Sequence, residues 1–246
     1  MKIAAAQIKP VKGDILKNIE NHTRLIRAAV SKNVDLIIFP ELSITGYEPD
    51  LAEKLSIHYE NETLEVFQKL ADENSISITV GMPTKSEGQL LISSIIFQPE
   101  KRRKVYSKHH LFPAETSVFS RGNTFCQLEV LQNKISLAIC YDLSDPNHSQ
   151  EAYQAGSTVY TASVLNSVNG IDEDLIKLST IAEKYHMHVV MANFIGESGG
   201  YECAGKSSVW NNDGSLLGQL NSKDEGILTL DTDNDRIEKF YVNESS

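Results

Sequence analysis

Residues Asp35–Pro40 read DLIIFP, an unbroken apolar run that closes on proline and is followed at once by Glu41. A strand with one wet face alternates apolar and polar residues, whereas an unbroken run is the mark of a strand buried on both faces. Such strands need helices outside them, and the flanking sequence predicts them. Upstream, Lys2–Ile8 reads as a strand, and Ile15, Ile19, Ile26 and Val30 then recur at helical spacing. Downstream, Leu64, Phe67, Leu70 and Ala71 give a second helix and Ile76–Met82 another strand.

Beyond these the pattern changes. Leu90–Gln98 and Lys104–Ser107 read as two strands joined at Pro99–Arg103, a hairpin whose basic Lys101–Lys104 tetrad is a solvated turn. Thr124–Leu131 and Ile135–Ile139 predict a second hairpin turning at Asn133-Lys134. A helix over about Pro146–Ala155, a strand over Thr158–Val164, a helix over Asp172–Tyr185 and a strand over His188–Ile195 follow, then a meander turning at Asp213-Gly214. Alternating strands and helices imply parallel pairing, and the hairpins add antiparallel strands, so the expected class is α/β with mixed sheets. No linker or repeat divides the chain, and one domain over residues 1–246 is expected.

Composition narrows the function. With 23 Lys plus Arg against 33 Asp plus Glu, the formal charge is −10, which disfavours nucleic acid and anionic membrane surfaces as partners. Hydrophobic residues at 41% and charged ones at 23% are ordinary for a folded protein. The three cysteines, Cys126, Cys140 and Cys203, cannot all pair, which favours a reducing compartment. No secretory signal or run of membrane-spanning length is visible, so a cytoplasmic location is expected.

Ligands in open α/β sheets sit beyond the carboxyl ends of strands. Reading those ends in order gives an acid, an amine and a thiol: Glu41, Lys108 and Cys140. Cys140 closes an apolar strand and precedes Asp145-Pro146, a helix N-cap followed by a first-position proline. A thiol there is expected to feel a helix dipole that favours thiolate, with the Tyr141 amide free to meet an oxyanion. Cys126 and Cys203 have no nameable polar partner and read as inert core residues. Lys108 would lower the thiol pKa and steady an oxyanion, and Glu41 would serve as general base. Taken alone, Lys108 reads more simply as a solvated lysine at a strand end, Glu41 as a polar loop residue and Cys140 as a small core residue.

Three segments in this order, FPELSITGY (Phe39–Tyr47), YSKHHLFPAE (Tyr106–Glu115) and AICYD (Ala138–Asp142), resemble the nitrilase superfamily of carbon–nitrogen hydrolases. The resemblance runs from the strand holding Gln7 to Ser207–Trp210. It implies a four-layer α-β-β-α sandwich with two mixed sheets. It also implies an amidase-like enzyme with a Cys140 nucleophile, a Glu41 base, Lys108 on the oxyanion and Glu115 orienting the lysine. The implied substrate is a small linear amide, with nitriles and N-carbamoyl compounds as alternatives. A homodimer paired through its helix layers is implied, and no metal or organic cofactor. Tyr47, His110, Phe112, Tyr141 and Asn166 are the expected pocket residues; Tyr47 and Phe112 read equally as core anchors. The chain departs from many amide-hydrolysing members at Ser144-Asp145-Pro146-Asn147, where they carry Arg-Phe-Pro-Glu, and at Ile181-Ala182, where an Arg-Ala pair is common. The missing arginine weakens the case for dicarboxylate monoamides.

Other readings carry less. His109-His110, His186 and His188 lack the partners of a metal set, and His148 reads as an exposed helix residue. No dinucleotide fingerprint occurs, and Gly199-Gly200-Tyr201 reads as a flexible loop. A peptidase or thiol oxidoreductase lacks its partner histidine or C-x-x-C motif. A binding protein descended from such enzymes would be expected to have lost Glu41, Lys108 or Cys140; all three are present.

Overall fold

A computed structural model describes residues 1–242. In chain order the helices are α1 (Ile15–Val30), α2 (Ala52–Leu55), α3 (Glu65–Asn74), α4 (Pro146–Gln154) and α5 (Ile171–Tyr185). The first strands are β1 (Lys2–Gln7), β2 (Leu36–Ile38), β3 (Ser77–Ser86), β4 (Gln89–Phe97) and β5 (Lys104–Ser107). Next come β6 (Gln127–Val130), β7 (Asn133–Ile139), β8 (Val159–Ser163), β9 (His188–Ala192), β10 (Ile195–Ser198) and β11 (Tyr201–Ala204). The chain ends on β12 (Ser208–Trp210), β13 (Leu216–Gln219), β14 (Gly226–Asp231) and β15 (Arg236–Tyr241).

Two mixed sheets form from these strands. The first runs β15-β14-β1-β2-β3-β4-β5 and the second β13-β12-β9-β8-β7-β6, with β10-β11 as a separate hairpin. β1, β2 and β3 pair in parallel, as do β7, β8 and β9, and the outer strands add antiparallel pairs.

The pleat explains the layers. Successive side chains on a strand point to opposite faces. Ile3, Ala5, Leu36 and Ile38 therefore enter a core shared with Ile135, Leu137, Ile139 and Val190 of the second sheet. Ala4, Ala6 and Ile37, from the same strands, meet Leu25, Ile26 and Ala29 of α1 and Phe67 of α3 on the opposite face. On the outside of the second sheet, Tyr160, Ala162, Val189 and Met191 pack on Ala152 of α4 and Leu178 and Ile181 of α5. The result is the expected α-β-β-α sandwich. Leu36, Ile37 and Ile38 are all completely buried, each burial contributing about 1.5–3 kcal/mol.

Two turns differ from the sequence reading. The β6–β7 hairpin turns at Leu131-Gln132, because Val130 pairs directly with Asn133; Leu131 takes the left-handed conformation instead of the asparagine. Gly199-Gly200 is the tight turn of the β10–β11 hairpin, not a flexible loop. Ser198 pairs with Tyr201, and both glycines have positive φ, +60° and +79°, as a type I′ turn requires.

Candidate active site

Ends of both sheets meet at one cavity of about 310 Å³, and Glu41, Glu115 and Cys140 line it. Glu41 leaves β2 on a loop pressed against β3. A Cβ at Gly81 would lie 2.4 Å from the Leu42 amide nitrogen and 2.5 Å from the Pro40 carbonyl oxygen, so only glycine admits this approach. Leu42, beside the glutamate, is itself left-handed, at φ 52°. Buried His22 fastens the loop from α1. Its Nδ1 lies 2.6 Å from the Asn18 carbonyl, which can only accept, so Nε2 accepts from Ser43 Oγ at 2.9 Å. The Gly81 amide in turn donates to that hydroxyl oxygen. Burial lowers the His22 pKa to about 3, keeping the ring neutral.

Lys108 follows β5 and is fully buried. Its Nζ donates to Glu41 Oε1 at 2.7 Å and to Glu115 Oε1 at 2.8 Å. Glu115 also accepts from the Tyr47 hydroxyl at 2.9 Å and the Phe112 amide at 2.8 Å. Glu41 Oε2 has no hydrogen-bond partner among the described residues, although it is buried and its residue faces the cavity. Burial pushes the Glu41 carboxyl up to about 7, the Lys108 charge pulls it back, and Glu115 adds to the rise. Burial alone would lower Lys108, but the Glu41 charge and the groups beyond it raise it, so the ammonium persists.

Cys140 directly follows β7 with φ 44°, a conformation L-residues rarely adopt, and opens a 3-10 turn over Cys140–Ser144. Its Sγ–H donates to the Leu165 carbonyl at 3.8 Å. The expected helix-dipole activation does not hold. α4 starts only at Pro146, capped by Asp145, and burial followed by the Glu41 charge pushes the thiol well above its ordinary range. At rest Cys140 is a thiol on a cavity that also presents a carboxyl poised near neutrality, an arrangement suited to proton transfer. As the second residue of the 3-10 turn, Tyr141 has an amide with no acceptor within that turn.

Asp142 ties these pieces together, and sequence reasoning missed it. Fully buried, it accepts from the His109 and His110 amides at 3.0 and 2.8 Å, from the Ile139 amide at 2.9 Å and from the Tyr106 hydroxyl at 2.7 Å. One carboxylate thus joins the loop after Lys108 to the turn carrying Cys140. Tyr106 continues to His148 Nε2 at 2.8 Å, and His148 Nδ1 to the Tyr160 hydroxyl at 2.8 Å. His148 is therefore buried in a polar chain rather than exposed, and burial lowers its pKa. The position of Asp142 three residues after the end of β7 was the available signal.

Of the five expected pocket residues, Tyr47, Phe112, Tyr141 and Asn166 line the cavity. Phe112 and Tyr141 stand edge to face at 5.5 Å. His110 does not join them: its Nε2 lies 2.8 Å from Asp145 Oδ2, in a separate polar cleft of about 340 Å³ that holds no nucleophile. Tyr201, unforeseen, reaches the cavity on the β10–β11 hairpin. A Cβ at Gly199 would lie 2.4 Å from the Tyr47 carbonyl oxygen, so the hairpin sits directly on the residue that holds Glu115. Glu173, Asp174 and Lys177 from the first turns of α5 complete the mouth. Among the described residues no group of three or more His, Cys, Asp or Glu is placed to hold a metal ion, and no helix is long and apolar enough to cross a membrane.

Comparison with known proteins agrees with this geometry. The carbon-nitrogen hydrolase family model matches residues 2–241. The chain belongs to the carbon-nitrogen hydrolase family. This hydrolase is 26% identical to a probable nitrilase of Schizosaccharomyces pombe, over 98% of its own length and 92% of the relative's. It is likewise 26% identical to an (R)-stereoselective amidase of Pseudomonas sp, over 80% and 72% of the two chains. Its fold matches an amidase from Nesterenkonia sp. AN1 at TM-score 0.85 and 22% identity, covering 93% of this chain and 89% of that one; that structure is a complex with butyramide. A CN-hydrolase superfamily protein from Xanthomonas campestris with an arsenic adduct in its active site matches at TM-score 0.87 and 19% identity, covering 93% and 89%.

Proposed function

We propose that this carbon-nitrogen hydrolase cleaves the C–N bond of a small linear amide through a thioester on Cys140. The observation that carries the reading is Lys108, fully buried and held between Glu41 and Glu115 at the cavity that Cys140 lines. Glu41 takes the thiol proton as sulfur attacks the amide carbon, and the carbonyl π pair moves onto oxygen. The Lys108 ammonium and the Tyr141 amide stabilise that oxyanion, a contribution typically worth 10²–10³ in kcat per donor. As the intermediate collapses, Glu41 returns the proton to the leaving nitrogen and the C–N bond breaks, leaving the thioester. Water then gives a proton to Glu41 and its oxygen to the acyl carbon. The second collapse breaks the C–S bond, releases the acid and restores the thiol. Glu115 holds Lys108 in place throughout.

A cavity of about 310 Å³ walled by Phe112, Tyr141 and Leu165 suits a short acyl chain. The butyramide bound by the Nesterenkonia amidase belongs to that class. Exposed apolar residues on the α4–α5 layer and at the entry to α5, Tyr153, Val168 and Ile176, support a homodimer paired there, which light scattering would test. The reaction is tested by intact-protein mass spectrometry after incubation with short amides, nitriles and N-carbamoyl amino acids. An acyl adduct on the native chain, absent from Cys140→Ala, is the expected result. Unchanged turnover by Cys140→Ala would overturn the mechanism.

A further inference from the structure

The mouth of the cavity repeats, in a half-exposed setting, the composition of its floor. Lys177 Nζ lies 2.9 Å from Glu173 Oε1 and 3.1 Å from Asp174 Oδ1, so a single ammonium is again bracketed by two carboxylates. That the space they border receives a ligand has its own witness at the other end, the buried and unpartnered Glu41 Oε2.

Two features here would ordinarily attract an anion, a lysine and a helix N-terminus. Both are already occupied. Lys177 is shared by two acids, and the first turn of α5 carries Asp172, Glu173 and Asp174. The Gly170 and Ile171 amides, at the very start of the helix, both donate to the Ser167 carbonyl at 3.1 Å. Lys177 counted with Glu173 and Asp174 leaves one negative charge at the mouth. Glu173 is 78% exposed in its side chain and largely screened by water, whereas Asp174 is only 18% exposed and faces the cavity. Asp174 is therefore the group whose charge a bound acyl chain feels.

We propose that Asp174 sorts substrates by charge, favouring amides whose acyl chain ends in an ammonium over neutral ones and rejecting those that end in a carboxylate. This inference rests on the amidase reading above for its substrates, though not for the electrostatics. A carboxylate tail would have to displace Asp174 from Lys177 or lie beside it unpaired. An ammonium tail finds a partly buried acceptor with an oxygen to spare, since Lys177 uses only Oδ1.

Three five-carbon amides test it: 5-aminopentanamide, pentanamide and the monoamide of glutaric acid. The expected order of kcat/KM is cation, neutral, anion, with a cation-to-anion ratio of about ten or more. That ratio should fall roughly fivefold in Asp174→Asn and rise in Lys177→Met, the scale expected for one partly screened charge. A second readout needs no turnover. Cys140 is labelled with 2-aminoethyl methanethiosulfonate or with its anionic sulfonatoethyl counterpart, and the rates are read by peptide mass. The Asp174→Asn substitution should lower the cation-to-anion labelling ratio. Pentanamide hydrolysis with ratios that Asp174→Asn leaves unmoved overturns the charge sorting and leaves the amidase reading standing. Inert amides with a labelling ratio that shifts as expected do the reverse. A monoamide of glutaric acid that matches or exceeds 5-aminopentanamide also overturns the inference.

Discussion

Two lysines, one beneath the cleft and one at its mouth, are each gripped by two carboxylates, and burial is what separates their roles. Lys108 is completely enclosed, at 2.7 and 2.8 Å from Glu41 and Glu115. Lys177 lies at the mouth, 32% exposed in its side chain, at 2.9 and 3.1 Å from Glu173 and Asp174. At the mouth, water reaches Glu173 freely and Lys177 in part, and the three groups neutralise one another in part. On the floor burial weakens screening, so the lysine stays charged between its two partners while burial, with Glu115 beside it, pushes the Glu41 carboxyl up to about 7. The same composition gives a proton acceptor poised near neutrality in one place and a weak surface field in the other.

Removing the inner lysine is the severest way to break the comparison. Lys108→Met leaves two carboxylates buried without their cation and deletes the proposed oxyanion donor. Activity should fall by at least ~10²-fold, and stability by about 3–5 kcal/mol, the usual cost of breaking a buried ion pair. Steady-state kinetics beside denaturant unfolding would check both, and a variant within tenfold of native kcat would refute the role assigned to Lys108.

Glu41→Gln comes next. The carboxyl works as a base only when deprotonated, so kcat/KM should rise as pH climbs through about 7 and level off above it. The glutamine variant should lose at least ~10²-fold and show no such limb, because nothing is left to titrate there. A pH profile that keeps its acid limb in Glu41→Gln would move the base to another residue.

Asp142 sharpens the comparison by having no counterpart at the mouth. It receives two amides and one hydroxyl from the strand and loop around Lys108, and one amide from the strand that leads to Cys140. Asp142→Asn puts an N–H₂ where donors already point, leaving buried donors opposed at about 1–3 kcal/mol. As a positioning residue it should affect kcat, by roughly tenfold, and leave KM little changed, since a 1 Å misplacement of reacting groups can cost that much and more. An effect confined to unfolding midpoint, with kcat intact, would make Asp142 purely structural.

How much of this the sequence disclosed follows from what kind of information each part needs. DLIIFP disclosed a doubly buried strand because both faces of the sheet leave their mark on consecutive residues, and the structure indeed sends Leu36 and Ile38 one way and Ile37 the other. Glu41, Lys108 and Cys140 were legible because each directly follows a strand run, and the structure brings them to one place. The rest required distances in space. The pull of burial on the Cys140 thiol is invisible in a string of letters and opposes the dipole argument that the string invited. Helix α5 could be read as amphipathic, but nothing in its sequence says that Asp174 and Lys177 line the same cavity as Cys140, which precedes them in the chain. His148 misled for the same reason: its partners Tyr106 and Tyr160 belong to two different sheets.

Gly199→Ala probes the wall between the two lysines. The turn needs positive φ, and a Cβ would meet the Tyr47 carbonyl oxygen at 2.4 Å and its ring at 2.7 Å. Strain of about 1–3 kcal/mol should appear as a lower unfolding midpoint. Tyr47, displaced, should loosen Glu115 and lower kcat several-fold. Full activity with an unshifted midpoint would show the hairpin to be free of Tyr47.

The smallest effect is expected at the outer lysine, and its smallness is the point. Lys177→Met removes a cation whose partners keep contact with water, Glu173 largely and Asp174 in part, so neither carboxylate is stranded as Glu41 and Glu115 would be. Exposed pairs of this kind contribute about 0–1 kcal/mol, and in a chain of 246 residues that moves Tm by no more than about 2–4 °C. Added salt should shrink the shift further, because the field it alters extends through solvent. Turnover of a neutral amide should stay within a few-fold of the native rate, while Lys108→Met abolishes nearly all of it. If Lys177→Met instead destabilised the fold as much as Lys108→Met, the mouth would be as dry as the floor, and burial could not be what tells the two lysines apart.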